Sequence, residues 1–368
     1  MDTHGSTDQT VEMETPRRPI LARREVLRRV GIGAGMLALS GAAPAAPALA
    51  RRGAFAVLKA RPKVVLGSGG VTCYAPLYTA YHKGFFAAEG LDVELYPESA
   101  TFDAIHALSS GTLGGDQDPA FAVFPAIEQG ADIRLVGGLH GGCVRLVIGK
   151  HSGIRKAADF KGKAIGTQGG DAMLFFKLLL AENGVDPQHE VTWTMLDPSI
   201  LGAALDAGKV QAVAAFDPLG YLLKQQGKAI EVGNNLSGLY GNPAGMGPHR
   251  YCCGVALNAK LVRDRPKVAA AVARAWMRGS RYAGGHIHEV AGIETSGKYI
   301  PLPQPTVEKI LHTLRFIPSA TWIEEDIRVT ARSLKQMGLL RPSTDPAKLA
   351  QKTYANVFER AGEPVPIF

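Results

Sequence analysis

Cysteine is scarce in this chain. There are four among 368 residues, Cys73, Cys143, Cys252 and Cys253, too few for a small disulfide-stapled scaffold. Aromatic residues make up only 7%, and the three tryptophans, Trp193, Trp276 and Trp322, sit in apolar patterned segments that read as core. Past residue 50 no stretch approaches the roughly 18 uninterrupted apolar residues of a membrane span. The net charge is +8, yet Lys and Arg are interspersed with Asp and Glu and form no aromatic-laced basic stripe, so nucleic-acid binding is not expected. Gly-x-Ser-x-Gly, His-Glu-x-x-His and the phosphate loop are all missing. On the residues alone, no catalytic group, metal ligand or cofactor is assigned.

What is present begins with an address. "ARREVLRRVGIGAGMLALSGAAPAAPALA" runs from a basic region through the mildly apolar Val30–Ser40 to the small-residue site Ala48-Leu49-Ala50, the layout of a signal peptide over residues 1–50. Arg23-Arg24, followed by an apolar residue, Leu27 and Arg28, resembles a twin-arginine export signal. The alternative is a disordered basic tail. Export to the periplasm or cell envelope is expected. A mature chain of 318 residues then carries about +7, a length that predicts two domains. Residues 51–61 read as a solvated basic leader.

Beyond the leader, strand-length apolar runs alternate with segments of helical period. Strands are expected at Lys63–Gly67, Leu91–Glu98, Ile133–Gly138, Val144–Gly149, Ala164–Thr167, Val191–Met195, Val210–Phe216 and Tyr251–Leu257. Helices are expected between them, followed by an almost wholly helical tail. This alternation predicts an α/β fold with helices on both faces of the sheets.

Three segments resemble a known family. "YHKGFFAAEGLDVEL" (Tyr81–Leu95), "GIRKAADFKGKAIG" (Gly153–Gly166) and "LDAGKVQAVAAFDPLG" (Leu205–Gly220) are similar, in this order, to segments of the periplasmic solute-binding proteins of nitrate, taurine and sulfonate ABC transporters. The resemblance implies a two-lobed type II periplasmic binding fold joined by two hinge-crossing strands, near Val144–Lys150 and Tyr251–Val255. Domain I would comprise residues 62–146 and 251–368, the latter including the second crossing and the helical tail, and domain II residues 147–250. It also implies a monomer that captures a small nitrogen- or sulfur-containing molecule by hinge closure and delivers it to an inner-membrane permease. Two alternatives belong to other classes: an enzyme like the thiamine-pyrimidine synthase of the same superfamily, and a periplasmic protein that binds a soft metal through Cys and His.

Within that implied fold the candidate ligand-binding residues are Cys73, Tyr74, Asp118, His140, Cys143, Gly169, Gly170, Asp171, Asp217, Tyr251 and Cys252. All four cysteines converge on cleft and hinge. A disulfide from Cys143 to Cys252 or Cys253, plain packing, and a thiolate metal site with His140 or His249 remain open. Asp118, Asp171 and Asp217, with Asp171 at a helix N-cap, would repel a dianion and favour an amine, amidine or protonated heterocycle stacked on Tyr74 or Tyr251. Each Asp could equally be a cap or turn residue. Arg145 and His140 could instead turn inward and hold an anion. His286 and His288 diverge on a helix and read as surface.

Overall fold

The protein is described from a computed structural model that covers residues 61–98, 103–242 and 247–368. The signal-peptide and twin-arginine expectations, and all of the leader but Arg61, lie outside the described residues. Among the described residues, no helix is long and apolar enough to cross a membrane.

Among the described residues, twelve strands fall into two six-stranded sheets. In chain order they are β1 (Lys63–Ser68), β2 (Asp92–Pro97), β3 (Gly115–Pro119), β4 (Ile133–Gly141), β5 (Val144–Gly149), β6 (Lys163–Thr167), β7 (Val191–Met195), β8 (Ala212–Phe216), β9 (Ala229–Asn234), β10 (Gly238–Leu239), β11 (Cys253–Asn258) and β12 (Arg315–Ser319). The first sheet has the order β12-β4-β11-β3-β1-β2 and the second β10-β9-β5-β8-β6-β7. Both follow one plan. A parallel trio, β2-β1-β3 or β7-β6-β8, is flanked by an antiparallel strand, β11 or β5, that enters directly from the other lobe.

The two passages between lobes are short. β4 ends at Gly141 and β5 begins at Val144, so the first passage is the link Gly142-Cys143. The second is the loop between β10 and β11, and it lies beside the first: the Cys252 N–H donates to the His140 carbonyl at 2.9 Å. The expected crossing regions lead into one strand of each sheet, β5 of the second and β11 of the first. Gly142 makes the link possible. Its φ is +106°, and a Cβ there would lie 2.8 Å from the Thr313 carbonyl, so a side chain is opposed by both strain and space.

Helices cover the sheets because their apolar stripes demand it. In Pro266–Gly285 the stripe Ala269, Val272, Ala273, Trp276, Met277, Ser280 is buried. Gly279 lets this helix approach helix Ala75–His82 so closely that a Cβ would meet the Pro76 carbonyl. In the second lobe, Phe175, Phe176, Leu179 and Leu180 of helix Gly170–Glu182 are buried. Burying a side chain of this size stabilises by about 1.5–3 kcal/mol.

The C-terminal tail is almost wholly helical, interrupted by Arg315–Ser319, which forms β12 at the edge of the first sheet, where Pro318 leaves no central ladder bond unmade. One expectation about the tryptophans is corrected. Trp322 is not core: it is 51% exposed and stacks on His249 at a ring separation of 5.0 Å. Trp276 is fully buried and Trp193 partly so.

Candidate functional site

Between the lobes lies a cavity of about 920 Å³. The first lobe contributes the β1-to-helix turn, β3 and the start of β11; the second contributes the start of helix Gly170–Glu182 and the ends of β7 and β8. β3 matters most. Its sequence, Gly-Asp-Gln-Asp-Pro, is wholly buried and paired on both sides, to β1 and β11. Asp116 and Asp118 are two residues apart and share one face of the strand.

Five acids line the cavity: Glu98, Asp103, Asp116, Asp118 and Asp171. Among the described residues no Lys, Arg or His lines it. Asp116 accepts hydrogen bonds from the Tyr74 hydroxyl (2.9 Å) and the Gln117 N–H (2.6 Å). Its second oxygen, one oxygen of Asp118 and one of Glu98 are buried without a hydrogen-bond partner among the described residues. Burial and mutual repulsion therefore raise these carboxyls. Glu98 is pushed up to about 9 by burial and then by Asp116. Asp171 is pushed up to about 6 by burial and then by Asp116. Burial raises Asp116, and burial with Asp116, Asp171 and Glu98 raises Asp118 well above its ordinary range. Gly67 is needed beneath them, since a Cβ there would run into Glu98 and lie 2.8 Å from Asp116.

Asp217 is not among the lining acids. It is fully buried and takes a bidentate pair from Arg145, Nε to Oδ1 at 2.8 Å and Nη2 to Oδ2 at 2.8 Å, while also accepting the Tyr221 N–H at 3.0 Å. Arg145 also donates to Glu231 at 2.9 Å and, across the lobes, to the Thr313 hydroxyl. The Asp217 carbonyl receives the Thr72 N–H at 3.3 Å, a second contact between lobes. Burial raises the Asp217 carboxyl to about 6 while Arg145 pulls it down. Burial lowers the Arg145 guanidinium, but its two carboxylates more than offset this. The pair is therefore charged at neutral pH.

The other expected site residues divide. Cys73, Tyr74, Asp118, Gly170 and Asp171 line the cavity, as does Cys253, whereas Gly169, His140, Cys143, Tyr251 and Cys252 do not. Asp171 is not an N-cap: Gly169 holds that position, and Asp171 is the second helical residue. Tyr251 cannot stack on a cavity ligand, since it is buried with its hydroxyl donating to the Ile317 carbonyl at 2.6 Å. Arg145 does not turn inward to an anion, and His140, fully buried, contacts the Gln117 amide at 3.2 Å. His286 and His288 are exposed, as expected. Glu98 and Asp103 were missed, and Asp116 was not singled out. Asp116 sits in a strand without apolar residues, and Glu98 follows a strand end that gives no hint of burial.

The four cysteines are unbridged and buried. The Cys143 sulfur lies 2.9 Å from that of Cys252 and 3.8 Å from that of Cys253, the two partners considered for a disulfide. Hydrogen bonds from Cys143 and Cys253 hold the Cys73 thiol well below its ordinary range, and burial pushes Cys252 and Cys143 up.

Comparison with known proteins places this geometry. No curated protein sequence matches. Among solved structures, the ligand-binding component of an ABC-type import system from Staphylococcus aureus, with zinc bound, superposes with a TM-score of 0.65 at 16% identity, covering 82% of this chain and 99% of that one. The alkanesulfonate-binding protein from Xanthomonas axonopodis pv. citri, bound to MOPS, gives 0.63 at 20% identity over 80% and 100%. A desulfurization enzyme gives 0.52 at 17% identity over 82% and 99%. These likenesses establish the two-lobed fold of ABC-type binding proteins. A family model described as NMT1/THI5-like matches residues 72–289, more than half of the chain. The chain belongs to the NMT1/THI5-like family.

Proposed function

We propose that this protein is the exported substrate-binding component of an ABC importer, and that its ligand is a small organic cation: an amine, an amidine or a protonated heterocycle. It would work in the periplasm or cell envelope beside an inner-membrane permease, with residues 1–50 as its export signal. The family and fold support the binding role. One observation carries the ligand class: five carboxyl groups and, among the described residues, no cationic side chain line the interlobe cavity. Buried carboxylates left without partners recruit a cation or keep their protons. A ligand cation would neutralise Asp116, Asp118 and Asp171 from both lobes at once, which draws the lobes together. Tyr74 and Phe216 supply aromatic faces at the same cavity, and a cation over such a face gains about 0.5–2 kcal/mol. A sulfonate or nitrate would find no cationic side chain among the described residues that line the cavity. The cavity of about 920 Å³ is sized for an organic molecule rather than a bare ion.

A thermal-shift panel of amines, amidines, sulfonates, nitrate and divalent cations tests the reading. An organic cation should stabilise the wild type, and Asp118→Asn and Asp171→Asn should each abolish that shift. Stabilisation by sulfonate or nitrate, undiminished in these variants, would refute the ligand class. Turnover of the bound molecule would refute the binding role.

A further inference from the structure

The sulfur cluster is a second polar site, distinct in chemistry from the carboxylates. Three separate regions supply it: Cys73 from the turn after β1, His140 from the end of β4 with Cys143 from the link that follows, and Cys253 from the first residue of β11. One ligand atom from each of these four residues lies within 4.8 Å of every other, and all four are buried. A tetrahedral ion with its sulfurs at about 2.3 Å spaces them about 3.8 Å apart, and the Cys143 and Cys253 sulfurs are 3.8 Å apart. His140 has one ring nitrogen, Nε2, against the Gln117 amide, while Nδ1 is buried with no hydrogen-bond partner among the described residues. Thiolate and imidazole ligands without a carboxylate select soft ions over Mg²⁺ or Ca²⁺.

We propose that Cys73, His140, Cys143 and Cys253 form a tetrahedral site for a soft d¹⁰ ion, Zn²⁺ or Cu⁺, that fastens both interlobe passages to the cleft wall. Cys73 and Cys253 also line the interlobe cavity, which gives the ion its way in. Binding releases the three thiol protons to solvent and leaves a net charge of −1 with Zn²⁺ or −2 with Cu⁺. Cys252, 2.9 Å from the Cys143 sulfur, stays outside the ligand set and hydrogen-bonds to the Cys143 thiolate. The ion ties Cys143 of the link to three residues of the first lobe, so its role is to fix the resting geometry of the passages.

The full chain, purified with reductant and stripped by chelation, is titrated with Zn²⁺, Cu⁺ and Co²⁺. One ion per chain is expected by native mass spectrometry, with a rise in Tm. The Co²⁺ form should show thiolate-to-metal charge transfer and the intense visible bands of a tetrahedral site, a signature that reads the ligands without any variant. Cys73→Ser and Cys253→Ser should each weaken binding at least about a hundredfold, more than loss of a supporting outer contact does. Cys252→Ser and Asp118→Asn should keep one ion per chain. The Asp118 arm separates this site from the cation-binding cleft: ion uptake that persists there supports the thiolate site whether or not organic cations bind. Competition between Zn²⁺ and Cu⁺ identifies the ion. Failure of the reduced wild type to take up one ion, a Co²⁺ spectrum without charge transfer, or full affinity in both Cys73→Ser and Cys253→Ser overturns the proposal.

Discussion

Two groups of carboxylates lie near the lobe junction, and they are built on opposite terms. Asp217 is enclosed with its counter-ion, since Arg145 meets it bidentately and reaches Glu231 as well. Glu98, Asp116, Asp118 and Asp171 are crowded against one another, with only Asp116 and Asp118 buried. The first group is complete within the chain. The second is complete only with protons or with a cation from outside. A buried acid therefore marks a binding site here by the absence of its partner, not by its burial.

The largest break of this comparison removes the guanidinium. Arg145→Met strands Asp217, while Glu231 keeps Lys224 and Asn234, and the loss of one partner from a buried pair costs about 3–5 kcal/mol; urea denaturation should show it. Asp217→Asn keeps an acceptor for the Tyr221 N–H but forfeits the charge, with an expected loss of about 1–3 kcal/mol in the same assay. The same substitution in the cleft should have the opposite sign. Asp118→Asn removes a repelled, unpartnered carboxyl, so the ligand-free protein should be unchanged or gain up to about 1 kcal/mol at neutral pH. A clear loss of stability in Asp118→Asn would erase the distinction between the two groups.

The smallest effect is a slope. Glu98 and Asp171 are raised in the fold to about 9 and about 6, so the native state holds protons that the unfolded chain has released. The stability they contribute is present below the ordinary carboxylate pKa of about 4 and is lost as pH rises, by about 6 for Asp171 and by about 9 for Glu98. Ligand-free Tm should therefore fall between pH 6 and 9, less steeply in Glu98→Gln than in wild type. Over the same range a bound cation should tighten, because ionised carboxylates hold it better. A Tm that rises with pH in both proteins would contradict the assignment.

Much of the fold was legible because apolar alternation marks strands such as Val144–Gly149 and Val191–Met195. β3 was not legible. Gly115–Pro119 carries two Asp, a Gln and a Pro, and nothing in that composition announces a buried central strand. Its burial is set by the strands on either side, a tertiary influence that local propensity does not contain. The site was half legible for the same reason. Asp118 and Asp171 stood out at helix starts and before proline, but their companions Asp116 and Glu98 came from the hidden strand and from a strand end. Asp217 looked like its siblings in sequence. Only the fold shows that Arg145, two residues past Cys143, faces it from the adjacent strand β5, paired Arg145 to Ala215.

The bond from Arg145 to the Thr313 hydroxyl has a kinetic meaning. Arg145 is rooted in the second sheet, whereas Thr313 lies just before β12 of the first, so the lobes cannot part without breaking it. A hydrogen bond to a charged group is worth about 1.5–3 kcal/mol, which is about a tenfold to hundredfold weight on one side of an equilibrium. One threonine hydroxyl thus acts as a latch on how often the protein opens. Thr313→Val would leave every cleft carboxylate in place and still change the residence time of whatever they hold.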